Sequence, residues 1–296
     1  HYGGGSGGGI YIQCKTVTGA GSLTANGGPA VNGGGGGGGR IALIYNGVAQ
    51  AATNKPTGVY SAAGGLGGRQ YGDLGTVYFT DTCFIDGTLR HKAQMLSSVD
   101  IWNVNSLVLT NGSWVRFPQA GLRLNVSGDV VIAGASRLDL GANAYVTNNA
   151  YPNQSSSTWP YTLLNSSVTV SVFAVGGNVN ISTGCTAYLY GGPTNAATDY
   201  GLLMSVTGDL SIASNAFVYA VSHFTNGGAP VLRASNLTVS AGGAISASGF
   251  GFASAKGPGA GGGAGGGGYG GAGTGTGFGG TYGSSNAPLS PGSGGG

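Results

Sequence analysis

Leu124-Asn-Val-Ser-Gly-Asp-Val-Val-Ile132 is the first of three similar stretches in this chain. Phe173-Ala-Val-Gly-Gly-Asn-Val-Asn-Ile181 and Met204-Ser-Val-Thr-Gly-Asp-Leu-Ser-Ile212 repeat its order of a valine, a Gly-Asp or Gly-Asn turn, and an apolar-x-Ile strand. A repeat of strand, tight turn and strand is typical of a β-solenoid, in which each rung buries its inward side chains on the rung before it. The stretches therefore predict an all-β chain whose body is a parallel β-helix, or β-solenoid.

The spacing between the three copies is uneven. Gly128, Gly177 and Gly208 mark the turns and are not a fixed period apart, so the rungs must carry insertions of different length. Tyr145–Tyr161, with its prolines and serines, is predicted to be one protruding loop. A β-sandwich with frequent turn signals is the alternative fold.

Composition divides the chain into four parts. Residues 1–45 are a glycine-rich segment with strands, 46–100 a connecting β region, 101–255 the solenoid body, and 256–296 a second glycine-rich segment. Glycine makes up 65 of the 296 residues and loses more conformational freedom on folding than other residues. Without β-carbons, however, chains can pack closely as extended polyglycine-II-like helices with three residues per turn. A flexible linker is the alternative, but strand-like sequences directly flank the runs.

Charge is scarce in this sequence. Only 6% of residues are charged, none is glutamate, and the net charge is +3. The apolar fraction of 41% is too high for a disordered chain, and the few basic residues are too scattered for a nucleic-acid surface. No apolar run approaches the roughly 20 residues of a membrane-spanning helix. A surface with so little charge favours self-association, so the expected partners are copies of the same chain.

The residues of catalytic and metal sites are sparse. The aspartates stand mainly in turns, although stacked rungs could bring Asp129 and Asp209 together as a carboxylate pair. The histidines lack neighbouring ligands, and His91, between Arg90 and Lys92, is predicted to lie in a solvated turn. With three cysteines, Cys14, Cys83 and Cys185, at least one thiol stays unpaired within the chain. The two interpretations are one disulfide bridge plus a buried thiol, or a disulfide bond to a neighbouring subunit. We expect no enzyme, no metal and no cofactor.

Some glycine-rich motifs resemble those of known proteins. Ser22–Gly28, Gly33–Tyr45 and Tyr282–Pro288 look like motifs of the glycine-rich repeat regions in very large secreted bacterial surface proteins. The predicted solenoid resembles the stems of bacterial adhesins and of autotransporter passenger domains. The resemblance implies an extracellular or cell-surface location and a structural or adhesive role, and it assigns no functional residues.

The expected function is structural: an extracellular protein that self-assembles head to tail into a fibre, sheath or stalk. The first and last residues share a glycine-serine composition, so the chain is expected to be either one unit of a longer tandem array or a subunit whose tail docks on the head of the next copy. The residues expected to form the assembly contacts are Gly33, Gly34, Gly35, Gly36, Gly37, Gly38, Gly39, Gly261, Gly262, Gly263, Gly265, Gly266, Gly267, Gly268, His1 and Tyr2. The alternative is a surface adhesin that binds glycans through the exposed aromatic residues Tyr151, Trp159 and Tyr161.

Overall fold

The computed structural model describes residues 2–68, 70–119, 121–141, 171–193, 200–286 and 288–296. The regular secondary structure of these residues is almost entirely β-strand, arranged in three parallel sheets. One short α-helix, α1 (Gly47–Ala51), and one 3-10 helix, Cys83–Ile85, interrupt the strands near the N-terminal end of the stack. The side chain of Asn46 caps α1 by accepting a hydrogen bond from the backbone N–H of Ala49 at 2.9 Å.

The described residues contain twenty-two strands. In chain order they are β1 (Gly9–Gln13), β2 (Ser22–Thr24), β3 (Arg40–Ile44), β4 (Val59–Ser61), β5 (Thr76–Phe79), β6 (Gly87–Leu89), β7 (Lys92–Ser97), β8 (Ile101–Val104), β9 (Leu107–Leu109), β10 (Trp114–Phe117), β11 (Arg123–Val126), β12 (Val130–Ile132), β13 (Arg137–Leu140), β14 (Ser171–Val175), β15 (Val179–Ile181), β16 (Thr186–Tyr190), β17 (Leu202–Val206), β18 (Asp209–Ile212), β19 (Phe217–Val221), β20 (Pro230–Arg233), β21 (Asn236–Val239) and β22 (Ala244–Ser246).

Three sheets form the walls of the stack. Sheet 1 follows the order β1-β3-β5-β7-β10-β13-β16-β19-β22. Off this path, β4 also pairs with β7, and β2 pairs with β4. Sheet 2 is β8-β11-β14-β17-β20, and sheet 3 is β6-β9-β12-β15-β18-β21. From β8 onward, each coil of the chain contributes one strand to sheet 2, then one to sheet 3, then one to sheet 1. This is a parallel β-helix, as predicted.

Every strand pair in the three sheets is parallel, which excludes the β-sandwich alternative. The three similar sequence stretches lie in register on successive coils. Val126, Val175 and Val206 are neighbours in sheet 2, and Ile132, Ile181 and Ile212 are neighbours in sheet 3. All six are buried, and burial of each such side chain stabilises the fold by about 1.5–3 kcal/mol.

The uneven spacing of the repeat arises at one corner of the stack. From β10 onward, the stretches between a strand of sheet 1 and the next described strand of sheet 2 are residues 118–122, 141–170, 191–201 and 222–229, and these ranges differ in length. The predicted loop Tyr145–Tyr161 falls in the second connection and lies outside the described residues.

The first hundred residues belong to the same stack. Strands β1, β3 and β5 continue sheet 1 beyond the coil that contains β6 and β7, so the glycine-rich and connecting parts of the sequence extend one common sheet. Buried side chains such as Ile41, Leu43, Val77 and Phe79 join the core of the solenoid body.

Candidate assembly interface

Gly33–Gly39 is an extended segment in which residues three apart form backbone hydrogen bonds with the same neighbouring segment. Gly4 and Gly7 donate backbone hydrogen bonds to the carbonyls of Gly34 and Gly37, both at 2.9 Å. The next residue of each triplet donates to a second segment: Gly35 to the carbonyl of Gln70 at 2.8 Å, and Gly38 to that of Asp73 at 2.9 Å. The last residue of each triplet donates to a third segment: Gly36 to the carbonyl of Gly28 at 2.9 Å, and Gly39 to that of Ala25 at 2.7 Å. This is the three-residue repeat of a polyglycine-II helix.

The neighbours of this segment complete a bundle. The N-terminal glycine bundle consists of residues 3–8, 25–30, 33–39, 62–68 and 70–75, joined by backbone hydrogen bonds. Side chains are excluded from its interior, because a Cβ at Gly36 would collide with the carbonyl of Gly5 and one at Gly38 with that of Ala62. The predicted assembly glycines Gly36 and Gly39 are therefore buried inside the chain.

Other members of the predicted set face outward. A Cβ at Gly34 or Gly37 would meet no atom within 4 Å, and both residues are exposed. Tyr2 is 92% exposed at the start of the same bundle. His1 lies outside the described residues.

The C-terminal glycine segment forms a second bundle. Gly262 donates to the carbonyl of Gly277 at 2.7 Å, Gly268 donates to that of Gly259 at 2.8 Å, and Gly261 donates to that of Gly294 at 3.0 Å. Of the predicted set, the buried members are Gly261, Gly265 and Gly268, those of intermediate exposure are Gly266 and Gly267, and the exposed members are Gly262 and Gly263. The inner glycines of both bundles thus pack against their own chain.

The C-terminal end of the stack is open. No strand follows β22 in the part of the chain that the structure describes. Leu237 lies in register with the buried Leu210, Val239 with the buried Ile212, and Ile245 with the buried Val218. These three core-facing side chains are 55%, 42% and 39% exposed.

The sequence analysis missed Leu237, Val239 and Ile245. A signal was present, because Asn236–Val239 repeats the apolar-x-apolar strand of the three similar stretches, without the glycine that marks their turn. The sequence that follows β22, residues 247–296, is glycine-rich, and its described part forms no further strand.

The opposite end of sheet 1 is also unpaired. Among the described residues β1 has a single strand neighbour, β3. Its side chains alternate: Ile10 and Ile12 pack partly against the core, whereas Tyr11 is 70% exposed. An unpaired edge of this kind presents backbone donors and acceptors to another strand.

The turn aspartates form a ladder along the corner between sheets 2 and 3. The Asp129 carboxylate accepts a hydrogen bond from the backbone N–H of Asn178 at 2.7 Å, and the side-chain oxygen of Asn178 accepts one from the backbone N–H of Asp209 at 2.9 Å. Asn178 therefore stands between Asp129 and Asp209, so the carboxylate pair considered from the sequence is not formed. The carboxylate of Asp209 in turn accepts from the Asn236 amide at 2.7 Å.

A buried ionic cluster lies on the outer face of sheet 1. Asp139, which is fully buried, contacts Arg116 at 3.2 Å and Arg137 at 2.6 Å, and Arg116 also contacts Asp73 at 3.1 Å. Burial alone would lower the pKa of Arg116, but the two carboxylates more than offset it and raise that pKa. The charges of the cluster balance, since it joins two arginines to two aspartates.

An aromatic row continues from this cluster. The Arg137 guanidinium lies 4.5 Å from the centre of the Trp114 ring and 4.0 Å from that of Tyr188. Tyr188 stacks on Tyr219 at 4.7 Å, and Tyr219 on Phe217 at 6.0 Å. The aromatic residues predicted to bind glycans, Tyr151, Trp159 and Tyr161, lie outside the described residues.

The solvated position expected for His91 is wrong. His91 is 3% exposed, and its Nδ1 accepts the backbone N–H of Tyr60 at 3.1 Å. Burial lowers its pKa to about 4. The neighbours Arg90 and Lys92 are exposed, because successive side chains of an extended chain point to opposite faces.

The three cysteines are free thiols, so no bridge forms within the chain. Within the described ranges, no group of three or more His, Cys, Asp or Glu side chains is placed to hold a metal ion. The same residues include no helix with the length and apolar character needed to cross a membrane.

The chain matches no protein-family model, and neither the curated proteins nor the solved structures contain a significant match to it.

Proposed function

We propose that this chain is an extracellular structural protein that self-assembles head to tail into a fibre, sheath or stalk. The observation that carries the proposal is the open C-terminal coil, where Leu237, Val239 and Ile245 occupy core positions and remain exposed. Apolar side chains at the end of a stack are stabilised by another layer, since each coil buries its inward face on its neighbour.

The polarity of the strands supports a head-to-tail arrangement. All strands of sheet 1 run parallel from β1 to β22. A second copy placed further along the stack in the same orientation continues this polarity, and its own open end remains free for a third copy. Repeated heterologous contacts that do not close into a ring produce filaments.

Composition and the glycine bundles also fit a scaffold. With 11 basic and 8 acidic residues in 296, the surface offers little electrostatic repulsion between copies. The bundles hold both glycine-rich regions in hydrogen-bonded arrays. The extracellular location is proposed from the resemblance of the glycine-rich motifs to secreted surface proteins.

The assembly is tested by light scattering after gel filtration and by negative-stain microscopy across a concentration series. The wild-type chain is expected to form filaments, and the double variant Leu237→Lys, Val239→Lys to stay monomeric because two ammonium groups would enter the interface. Thr238→Lys is the control: it adds one positive charge to the same strand on the outward face and should still form filaments. Monomeric wild-type protein at every concentration contradicts the proposal.

A second candidate function is that of a glycan-binding adhesin. It is favoured by the aromatic row on sheet 1, where Trp114, Phe217 and Tyr219 are partly exposed, because aromatic faces stack well on sugar rings. Dispersed particles that bind glycans on an array, and lose that binding in Phe217→Ala, would support this function. Filaments with no glycan binding would support the structural role.

A further inference from the structure

Sheet 1 has a free edge at each end of the stack. Among the described residues, β1 pairs only with β3, and β22 pairs only with β19. Both strands are uncharged, with the sequences GIYIQ and AIS. Two such edges can join through backbone hydrogen bonds without electrostatic repulsion.

The inward side chains of the two edges are alike. Ile245 of β22 ends a column of core residues whose preceding members are Val218, Ala187 and Leu138. At the other end of the sheet, Ile10 of β1 begins a column that continues through Ile41. Ile245 and Ile10 are each the last inward residue of their column, and neither is fully buried.

Sheets 2 and 3 do not present a similar opening at the N-terminal end. The first strand of sheet 2 carries Trp102, which is 1% exposed, and the first strand of sheet 3 carries Leu89, which is fully buried. The buried Phe84 and Ile85 lie in the chain just before β6 and belong to the same core. At this end, the open edges among the described residues belong to sheet 1: β1 is the outermost strand of its main path, and the shorter β2, which pairs only with β4, is a second edge.

We propose that β22 of one copy pairs in parallel with β1 of the next copy, with Ala244 opposite Gly9, Ile245 opposite Ile10, and Ser246 opposite Tyr11. This inference rests on the head-to-tail assembly proposed above and specifies its contact. The joined sheet would carry one column of core side chains from one copy into the next. The occupant of the open edge is a second copy of this chain.

The register follows from the pleat and from the turn before β22. A shift of one residue would place Tyr11 on the core side and Ile10 outside, because strand side chains alternate between faces. A shift of two residues in one direction would place Ile245 opposite Gly8 and Ile10 opposite Ala247, which lie outside β1 and β22. A shift of two residues in the other direction would place Ile12 opposite Ile245 and Ile10 opposite Gly243. Gly243 belongs to a turn, where its N–H bonds to the carbonyl of Ser240 at 2.9 Å, so this turn would interrupt the pairing.

Disulfide trapping tests the register. Tyr11→Cys and Ser246→Cys are made as separate proteins, each also carrying Cys14→Ala and Cys83→Ala; the remaining Cys185 is fully buried. Opposed residues on neighbouring strands lie about 4.8 Å apart, within the range that a disulfide bridges. Oxidation of the mixture should give a covalent dimer that neither protein forms alone.

A mixture of Gln13→Cys with Ser246→Cys is the control for register and should give at most a tenth of that dimer. Adding Ile245→Lys to the Ser246→Cys protein should abolish the cross-link, and circular dichroism checks that each variant is folded. Filaments with no Tyr11–Ser246 cross-link overturn this inference and leave the assembly function standing. A cross-linked dimer without filaments supports the pairing and contradicts the filament. The absence of both filaments and cross-link contradicts the assembly function as well as this strand pairing.

Discussion

The backbone of Gly177 lies directly against the carboxylate of Asp129, one coil earlier in the stack. A Cβ at Gly177 would overlap the Oδ1 atom of Asp129. That same oxygen accepts the backbone N–H of Asn178 at 2.7 Å. The preceding coil therefore leaves no room for a side chain at Gly177, and the Asp129 carboxylate links the two coils by a hydrogen bond.

Gly177→Ala should lower the free energy of unfolding by about 1–3 kcal/mol, because the added methyl group displaces Asp129 and breaks its bond to Asn178. Urea unfolding monitored by circular dichroism measures the loss. Gly5→Ala is the control, since a Cβ there meets no atom within 4 Å. Equal stability of Gly177→Ala and the wild type would contradict the ladder.

Adjacent glycines in the N-terminal bundle should respond in opposite ways to the same substitution. A Cβ at Gly36 collides with the carbonyl of Gly5, whereas a Cβ at Gly37 meets nothing. Gly36→Ala should cost at least about 2 kcal/mol, because the segments must separate. Gly37→Ala should be neutral or stabilise the fold by about 0.5 kcal/mol, since alanine restricts the unfolded chain.

Thermal unfolding of these two variants in the Leu237→Lys, Val239→Lys background measures the difference without interference from assembly. A similar loss in both variants would mean that the segments are not packed at the observed distances. A similar lack of effect in both would mean that the bundle is loose in solution, as a flexible linker would be.

The solenoid could be predicted because its signal is local. Val126, Ile132 and their counterparts recur with the same turn between them, and the pleat alone places them on one face. The polyglycine packing was also predictable, since close backbone packing is one of the few interactions that can offset the conformational entropy lost when a run such as Gly33–Gly39 becomes ordered. The neighbours of each glycine could not be predicted, because they lie on segments that are distant in sequence.

Which glycines face outward and which polar side chains are buried could not be predicted from the sequence, for a related reason. Whether Gly36 or Gly37 faces outward depends on the arrangement of five segments in space. His91 has charged neighbours in the sequence, yet it points to the core because of the strand pleat. Leu237 has the pattern of a buried residue, and only the end of the stack leaves it exposed.

The buried cluster on sheet 1 predicts unequal roles for two aspartates. Asp139 is fully buried and forms ion pairs with two arginines, whereas the Asp73 side chain is 22% exposed and, among the described residues, forms an ion pair with Arg116 alone. Asp139→Asn should cost about 3–5 kcal/mol, because it leaves Arg137 without its carboxylate partner and the buried Arg116 with Asp73 alone. Asp73→Asn should cost about 1 kcal/mol. Urea unfolding at pH 7 compares the two, and equal losses would show that burial does not set the cost.

His91 makes the stability of the fold depend on pH. Burial, aided by the charge of Lys55 and opposed by a hydrogen bond to Phe84, lowers its pKa from 6.5 to about 4. Between these values the unfolded chain binds a proton that the folded chain does not, so the free energy of unfolding falls as the pH drops from about 6.5 to about 4. The full loss attributable to His91 is about 3 kcal/mol, and none of it occurs above that window.

His91→Asn should flatten this part of the pH profile, because asparagine does not titrate and its side-chain oxygen can still accept the N–H of Tyr60. Burial also lowers the pKa of His223, so the variant should keep a smaller slope of the same sign, which His91→Asn combined with His223→Asn should remove. Urea unfolding at half-unit steps from pH 4 to pH 8 measures each slope. Parallel profiles for wild type and His91→Asn would show that this imidazole is not held neutral by the fold.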